Sequence, residues 1–132
     1  MKIQIPISVG EFVDRLTILE LKLEHAPNVA LEKAIQTQID EFNAAAAPIA
    51  NALASLNALH RDLAAINAEL WVVEDDLRAK ERQQRFDQDF ISLARSVYQL
   101  NDQRAALKNQ MDQQVGSEFG DAKIYRIETP NS

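Results

Sequence analysis

The sequence predicts an all-α fold, and three observations support this prediction. The chain of 132 residues has only three glycines and four prolines, whereas strong helix formers are abundant. From residue 56 the apolar positions follow a heptad spacing, and a second apolar stripe begins near residue 86. We predict a single domain over residues 1–132 with about four helices and short β-strands at both ends. The last two helices form a long, coiled-coil-like antiparallel hairpin.

The first segment predicts a strand followed by a capped helix. Polar and apolar side chains alternate within residues 1–7, which indicates a short edge strand. Ser8 and Glu11 have the spacing of a capping box, so a helix is expected from about residue 9 to residue 25. Pro27 ends it, because the residue before a proline avoids the helical region.

This first helix is apolar on more than one side. One stripe consists of Phe12, Leu16, Leu19 and Leu23. Ile18 and Leu21 point nearly the opposite way. The helix therefore lies between other helices of the domain, or Ile18 and Leu21 contact another subunit. The first alternative is favoured.

The middle of the chain predicts a second helix that is interrupted. Asn28 is a suitable N-cap for it. The alanine-rich tract over residues 44–54 contains Pro48, which removes a helical hydrogen bond and clashes with the preceding turn. We expect a kink or connection in this tract, and whether the second helix continues through Pro48 stays open.

The third and fourth helices each have an apolar stripe, and the spacing of the first stripe does not continue into the second. The heptads of the third are Leu56, Leu59, Leu63, Ile66, Leu70, Val73 and Leu77. The core positions of the fourth are Phe86, Phe90, Leu93, Val97, Leu100, Leu107 and Met111. A turn near residues 82–86 makes these helices antiparallel, with facing residue numbers that add up to about 167–169. The predicted facing pairs are Arg78 with Asp89, Glu74 with Arg95, Asn67 with Asn101 and Asp62 with Arg104.

The C-terminal segment predicts a helix end and a second strand. Gly116 is a natural C-cap for the last helix. Residues 122–128 include an alternating segment that is expected to form a strand. This strand would pair with the N-terminal strand, either within the chain or across a dimer.

The charge and the residue types exclude several classes of function. The net charge of −6 disfavours nucleic-acid binding, which needs a surplus of Lys and Arg against phosphates. The chain has no cysteine, so disulfides, thiolate zinc sites and cysteine nucleophiles are excluded. It has no apolar run of the length that a signal peptide or a membrane span requires. A cytoplasmic protein without membrane insertion is expected.

A polar stripe beside the heptad core is the candidate ligand or partner site. Its members on the third and fourth helices are Asn67, Trp71, Glu74, Arg78, Arg95, Tyr98, Asn101, Arg104 and Lys108. These residues either line a cleft for a small anion or join two helices through hydrogen bonds and ion pairs. Arg104 occupies a core position, where a charge must be paired or reach solvent. An ion pair with Asp62 or a neighbouring glutamate is favoured over an anion site.

Several segments resemble a family of short bacterial proteins described only as a domain of unknown function. They cover nearly the whole chain and lie at residues 5–11, 14–20, 70–78, 86–87, 90–98, 101–108 and 116–117. The alanine-rich middle is the least characteristic part. The resemblance implies no reaction and assigns no catalytic residue.

The predicted function is a non-enzymatic oligomeric scaffold or protein-interaction module. Long helices with apolar stripes on two sides favour a homodimer or a higher oligomer. The alternative is a small-anion or metal-dependent site between the third and fourth helices, with Glu74 or Glu81 as acid, base or metal ligand. No catalytic residue, resident metal or cofactor is predicted.

Overall fold

The computed structural model describes residues 1–117. Its helices are α1 (Val9–Glu24), α2 (Val29–Ala46), the one-turn α3 (Ala50–Ala54), α4 (Asn57–Arg82) and α5 (Gln88–Val115). The two longest, α4 and α5, pack antiparallel, which confirms the predicted all-α fold with a C-terminal helical hairpin. Within residues 1–117, no helix is both long and apolar enough to span a membrane.

Three helices begin at a side-chain cap. The Ser8 hydroxyl accepts a hydrogen bond from the backbone N–H three residues later at 3.0 Å, and Asn28 Oδ1 does the same at 2.9 Å. Both caps confirm predictions from the sequence. Asp87 caps α5 in the same way at 2.9 Å and also binds Lys80 at 3.0 Å. These caps satisfy N–H groups that have no partner inside their own helix.

The N-terminal segment does not form the predicted strand. Residues 1–8 contain neither helix nor strand, so the prediction over residues 1–7 is wrong for the part of the chain that the structure describes. A strand needs hydrogen bonds to a neighbouring strand, and no other strand is present within residues 1–117. The second predicted strand, over residues 122–128, lies outside the described residues.

The chain is broken where the sequence places Pro48. Helix α2 ends at Ala46, and a 3-10 turn follows over Ala47–Ile49, with Pro48 as its second residue. Helix α3 then adds one turn before α4 begins. Because proline lacks an N–H and clashes with the preceding turn, α2 does not continue through it.

The α4–α5 hairpin is held by apolar residues at matching levels. Leu70, Val73 and Leu100 are its buried residues, with Ile66, Leu77, Leu93 and Val97 packed against them. The sum of about 167–169 for facing residue numbers stays a prediction.

Polar partners in the hairpin differ from those predicted. Arg104 binds Asp14 of α1 rather than Asp62. Arg78 lies 3.5 Å from Asp75 and 3.8 Å from Glu74, both on its own helix, and its position opposite Asp89 stays a prediction. The prediction considered only α4 and α5, whereas a third helix supplies the partner for the charge in the core.

Helix α1 lies between α2 and the hairpin. Its Val13 belongs to a buried cluster with Leu63 of α4, Met111 of α5 and Leu56, which directly precedes α4. Its Leu16 and Leu19 instead pack with Ile39 of α2. The stripe that contains Leu16 and Leu19 is thus covered within the chain, whereas Ile18 and Leu21 are half-buried and their predicted coverage stays a prediction. The layers are α2, then α1, then the hairpin.

The turn between α4 and α5 contains a residue in the left-handed region. Gln84 has φ 54°, its N–H bonds to the Glu81 carbonyl at 3.1 Å, and the Arg85 N–H bonds to the Lys80 carbonyl at 3.0 Å. These two bonds form a Schellman motif, which usually places glycine where Gln84 stands. Phe86 lies in this turn and is 53% exposed, so its predicted core position is wrong.

We expect Gln84→Gly to stabilise the protein by about 0.5–1 kcal/mol. Glycine removes the steric cost of the left-handed conformation, which exceeds the entropy that glycine adds to the unfolded chain. Urea denaturation measures the free energy of unfolding. As a control, Gln83→Gly should lower it by about 0.5 kcal/mol, because Gln83 has φ −86° and gains nothing from glycine. Equal effects of the two variants would contradict the prediction.

Candidate functional site

A buried carboxylate on α1 joins three helices. Asp14 is 1% exposed and accepts two hydrogen bonds from Arg104 of α5, from Nε to Oδ1 at 2.8 Å and from Nη2 to Oδ2 at 2.5 Å. Asn67 of α4 donates from Nδ2 to Asp14 Oδ1 at 2.9 Å. A bidentate guanidinium–carboxylate pair fixes geometry as well as charge. Asp14 therefore sets the position of α1 against the hairpin.

Neutral groups complete the surroundings of this ion pair. The Thr17 hydroxyl donates to the Asp14 carbonyl oxygen at 2.7 Å and accepts from Asn67 Nδ2 at 2.8 Å. Arg104 Nη1 donates to Asn101 Oδ1 at 3.4 Å. The polar atoms of this buried region thus satisfy one another, as buried polar groups must.

A second ion pair lies one turn away on the same two helices. Lys108 Nζ of α5 is 2.5 Å from Glu11 Oε2 and 3.9 Å from Asp14 Oδ2. Glu11 also accepts a hydrogen bond from Arg15 at 3.0 Å. The cluster therefore alternates acidic groups of α1 with basic groups of α5.

The pKa values of both carboxyl groups are lowered. Burial alone would raise the pKa of Asp14, but hydrogen bonds from Arg104 and Asn67 outweigh burial and hold the pKa below its usual 3.8. Burial also opposes the shift at Glu11, where the hydrogen bond from Lys108 holds the pKa below its usual 4.5. The ionised forms are therefore the ones that the fold stabilises.

The first turn of α1 is docked on the last turn of α5. The Gly10 N–H donates to Asp112 Oδ1 at 2.7 Å, and the Val9 N–H donates to Ser117 Oγ at 3.0 Å. A Cβ atom at Gly10 would overlap the Lys108 carbonyl oxygen, so only glycine permits this approach. The buried Asp112 carboxylate also faces the positive end of the α1 dipole.

The structure brings together some of the predicted site residues. Asn67, Asn101, Arg104 and Lys108 all lie in the cluster around Asp14. Trp71 is half-buried one turn further along α4, stacked on His25 with ring centroids 4.6 Å apart. The remaining four predicted residues are exposed and lie outside the cluster: Glu74, Arg78, Arg95 and Tyr98.

The acidic half of the cluster was missed from the sequence. Gly10, Asp14 and Thr17 recur at the spacing of one helix face and lie beside the apolar stripe of α1. A short polar face of this kind, on a helix expected to be covered on two sides, indicates contact with polar groups of another helix. Asp14 is the partner that the core position of Arg104 required.

The two basic side chains of the cluster are engaged within the chain. Arg104 and Lys108, the cations predicted to hold an anion, each bind a carboxylate of α1. Within residues 1–117, no three His, Cys, Asp or Glu side chains are arranged to hold a metal ion. The cluster is therefore suited to positioning helices, and its charges balance internally.

Two open grooves lie away from this cluster. One, of about 610 Å³, runs between the N-terminal segment, α1 and α2, and its floor includes Phe12 and Phe42. The other, of about 590 Å³, lies near the hairpin turn and includes Lys80 and Ser92. Asp14, Arg104 and Lys108 line neither groove.

Comparison with known families gives one match, which covers residues 1–132 and is described as a family of unknown function, DUF6165. The chain belongs to this family. The full-length resemblance found in the sequence is thereby confirmed. Neither the curated proteins nor the solved structures include a match to this DUF6165 chain.

We expect Asp14→Ala to lower the free energy of unfolding by about 2–4 kcal/mol, because it leaves the Arg104 guanidinium partly buried without its main partner. Arg104→Ala should have a similar effect, since it leaves a buried carboxylate. The double variant should be about 2 kcal/mol more stable than the sum of the two losses predicts. Urea denaturation of the four proteins measures this coupling, and additive losses would contradict a direct ion pair.

The lowered pKa of Asp14 predicts acid sensitivity. A carboxyl group with a lower pKa in the folded state contributes stability above its unfolded pKa and loses it as the pH falls through the folded value. Stability should therefore fall steeply below about pH 4 in the wild type and less steeply in Asp14→Asn. The urea concentration at the midpoint of unfolding, measured at several values between about pH 7 and pH 3, tests this pH dependence. The exposed Asp62→Asn serves as the control and should follow the wild type.

Proposed function

We propose that this protein is a non-enzymatic helical scaffold that acts by binding another protein surface. The pairing of Arg104 and Lys108 with carboxylates of α1 is the observation that supports this function over a ligand site. An anion would have to displace Asp14 or Glu11, and displacing Asp14 would remove a contact that holds α1 on the hairpin. Breaking a buried ion pair costs several kcal/mol, which an incoming anion would have to offset.

Part of the hairpin has a face that α1 does not cover. Helix α1 ends at Glu24, and His25 stacks on Trp71, whereas α4 continues to Arg82. Because side chains repeat with the helical period, the sides of α4 and α5 that face α1 continue beyond the level at which α1 ends. We call this surface, which no helix covers within residues 1–117, the uncovered hairpin face. Trp71 lies at its edge, half-buried beside His25, and its exposed members are Glu74, Arg78, Ile91, Ala94 and Tyr98.

The composition of the uncovered hairpin face supports a protein partner. Tyr98 is 56% exposed and Ile91 is 47% exposed, although both are large side chains on a well-formed helix. Tyr, Trp and Arg are the residues that protein interfaces favour, and they contribute most to binding when a partner buries them. The uncovered hairpin face also continues the groove between α4 and α5 in which α1 lies. A helix of a partner protein could therefore pack there in the same way as α1.

Photo-crosslinking in intact cells tests this function. A benzoylphenylalanine placed at Tyr98 should give discrete crosslinked species, because Tyr98 is an exposed aromatic member of the uncovered hairpin face. The same group at Gln99, which is exposed on a neighbouring side of α5, is the matched control and should give little product. Absence of any crosslink at position 98, or equal products at both positions, would overturn the proposed function.

A further inference from the structure

We infer that the uncovered hairpin face binds the same face of a second copy of this chain, around a two-fold axis that runs across the hairpin. This inference rests on the proposed function and names its partner. In this arrangement α4 lies antiparallel to the partner's α4, and α5 lies antiparallel to the partner's α5. Two hairpins packed in this way form a four-helix bundle, and two-fold dimers are the commonest oligomers.

The length of the uncovered hairpin face fits this arrangement. From Trp71 to Arg82 there are 12 residues of α4, or about 18 Å at 1.5 Å per residue. A two-fold axis at the middle of this length falls near residue 76. The hairpin turn of each copy then reaches the level at which α1 of the other copy ends. The two α1 helices therefore do not compete for the same part of the groove.

The charges on α4 are self-complementary about the same level. Glu74 and Arg78 are four residues apart, so the point midway between them is also residue 76. In an antiparallel pair of α4 helices, Glu74 faces the partner's Arg78, and Arg78 faces the partner's Glu74. Both side chains are largely solvent-exposed, with 49% and 65% of their surface accessible, and can reach across. Complementary charges of this kind select a partner and its orientation.

The exposed residues of α5 are compatible with the same two-fold arrangement. Ile91, Ala94 and Tyr98 are exposed and follow the i, i+3, i+7 spacing of one side of α5. The small side chain of Ala94 lets two α5 helices approach closely. Ile91 and Tyr98 lie on either side of Ala94 and cover apolar surface of the partner. The self-complementary placement of Glu74 and Arg78 on α4 is the reason for choosing a second copy over an unrelated protein.

The size of the face sets the expected strength of the dimer. A patch about 18 Å long and two helices wide covers roughly 400 Å² per copy, which is below the usual 800 Å² of a stable interface. A weak and reversible dimer is therefore expected. Self-association should be visible by sedimentation velocity between about 5 and 500 μM protein.

Charge reversal tests the arrangement directly. Glu74→Arg and Arg78→Glu should each weaken self-association by about tenfold or more, because each places like charges opposite one another. An equimolar mixture of the two variants should restore association as a heterodimer, since the opposed residues are then complementary again. A wild type that stays monomeric to about 500 μM, unchanged association of either variant, or a mixture that fails to associate would overturn the inference.

Alanine variants of α5 provide the matched control. Ala94→Glu should abolish self-association, because it places a carboxylate between Ile91 and Tyr98 on the α5 part of the uncovered hairpin face. Ala106→Glu changes an equally exposed alanine outside the uncovered hairpin face and should associate like the wild type. Thermal unfolding should show that all variants stay folded. Crosslinks from position 98 to other proteins alone, with a monomeric wild type, would overturn this inference and leave the proposed function standing.

Discussion

Much of this fold depends on the contact between Asp14 and Arg104. An ionised carboxylate that is 1% exposed would be very costly without partners. Arg104 supplies two charge-assisted hydrogen bonds from α5, and Asn67 supplies one from α4. Such directional contacts are satisfied in one arrangement of the three helices, whereas apolar side chains tolerate several. The ion pair therefore defines where α1 lies along the hairpin.

The contact between Gly10 and Asp112 fixes the same helix at a second point. It places the first turn of α1 against the last turn of α5, about one helical turn from Asp14. With its start held there and its length limited to 16 residues, α1 must end beside Trp71. The uncovered hairpin face is thus a consequence of two polar contacts made by the first half of α1.

Local features of this fold could be predicted from the sequence, and long-range polar partners could not. The caps at Ser8 and Asn28 and the break at Pro48 depend on neighbouring residues, so spacing was sufficient to find them. The partner of Arg104 is 90 residues away on α1, and a heptad pattern over α4 and α5 contains no information about it. Phe86 has an apolar side chain at a plausible interval, but the left-handed turn at Gln84 places it outside the helix.

Net charge bears on how such a scaffold would assemble. A chain with a charge of −6 repels its own copies, which keeps acidic proteins apart unless local contacts offset the repulsion. Glu74 and Arg78 supply one charge of each sign at the proposed axis, so the interface adds no net charge while the rest of the surface opposes association. Apolar contact from Ile91 and Tyr98 must then provide most of the attraction. An interface of this composition favours reversible assembly in one orientation over a permanent dimer.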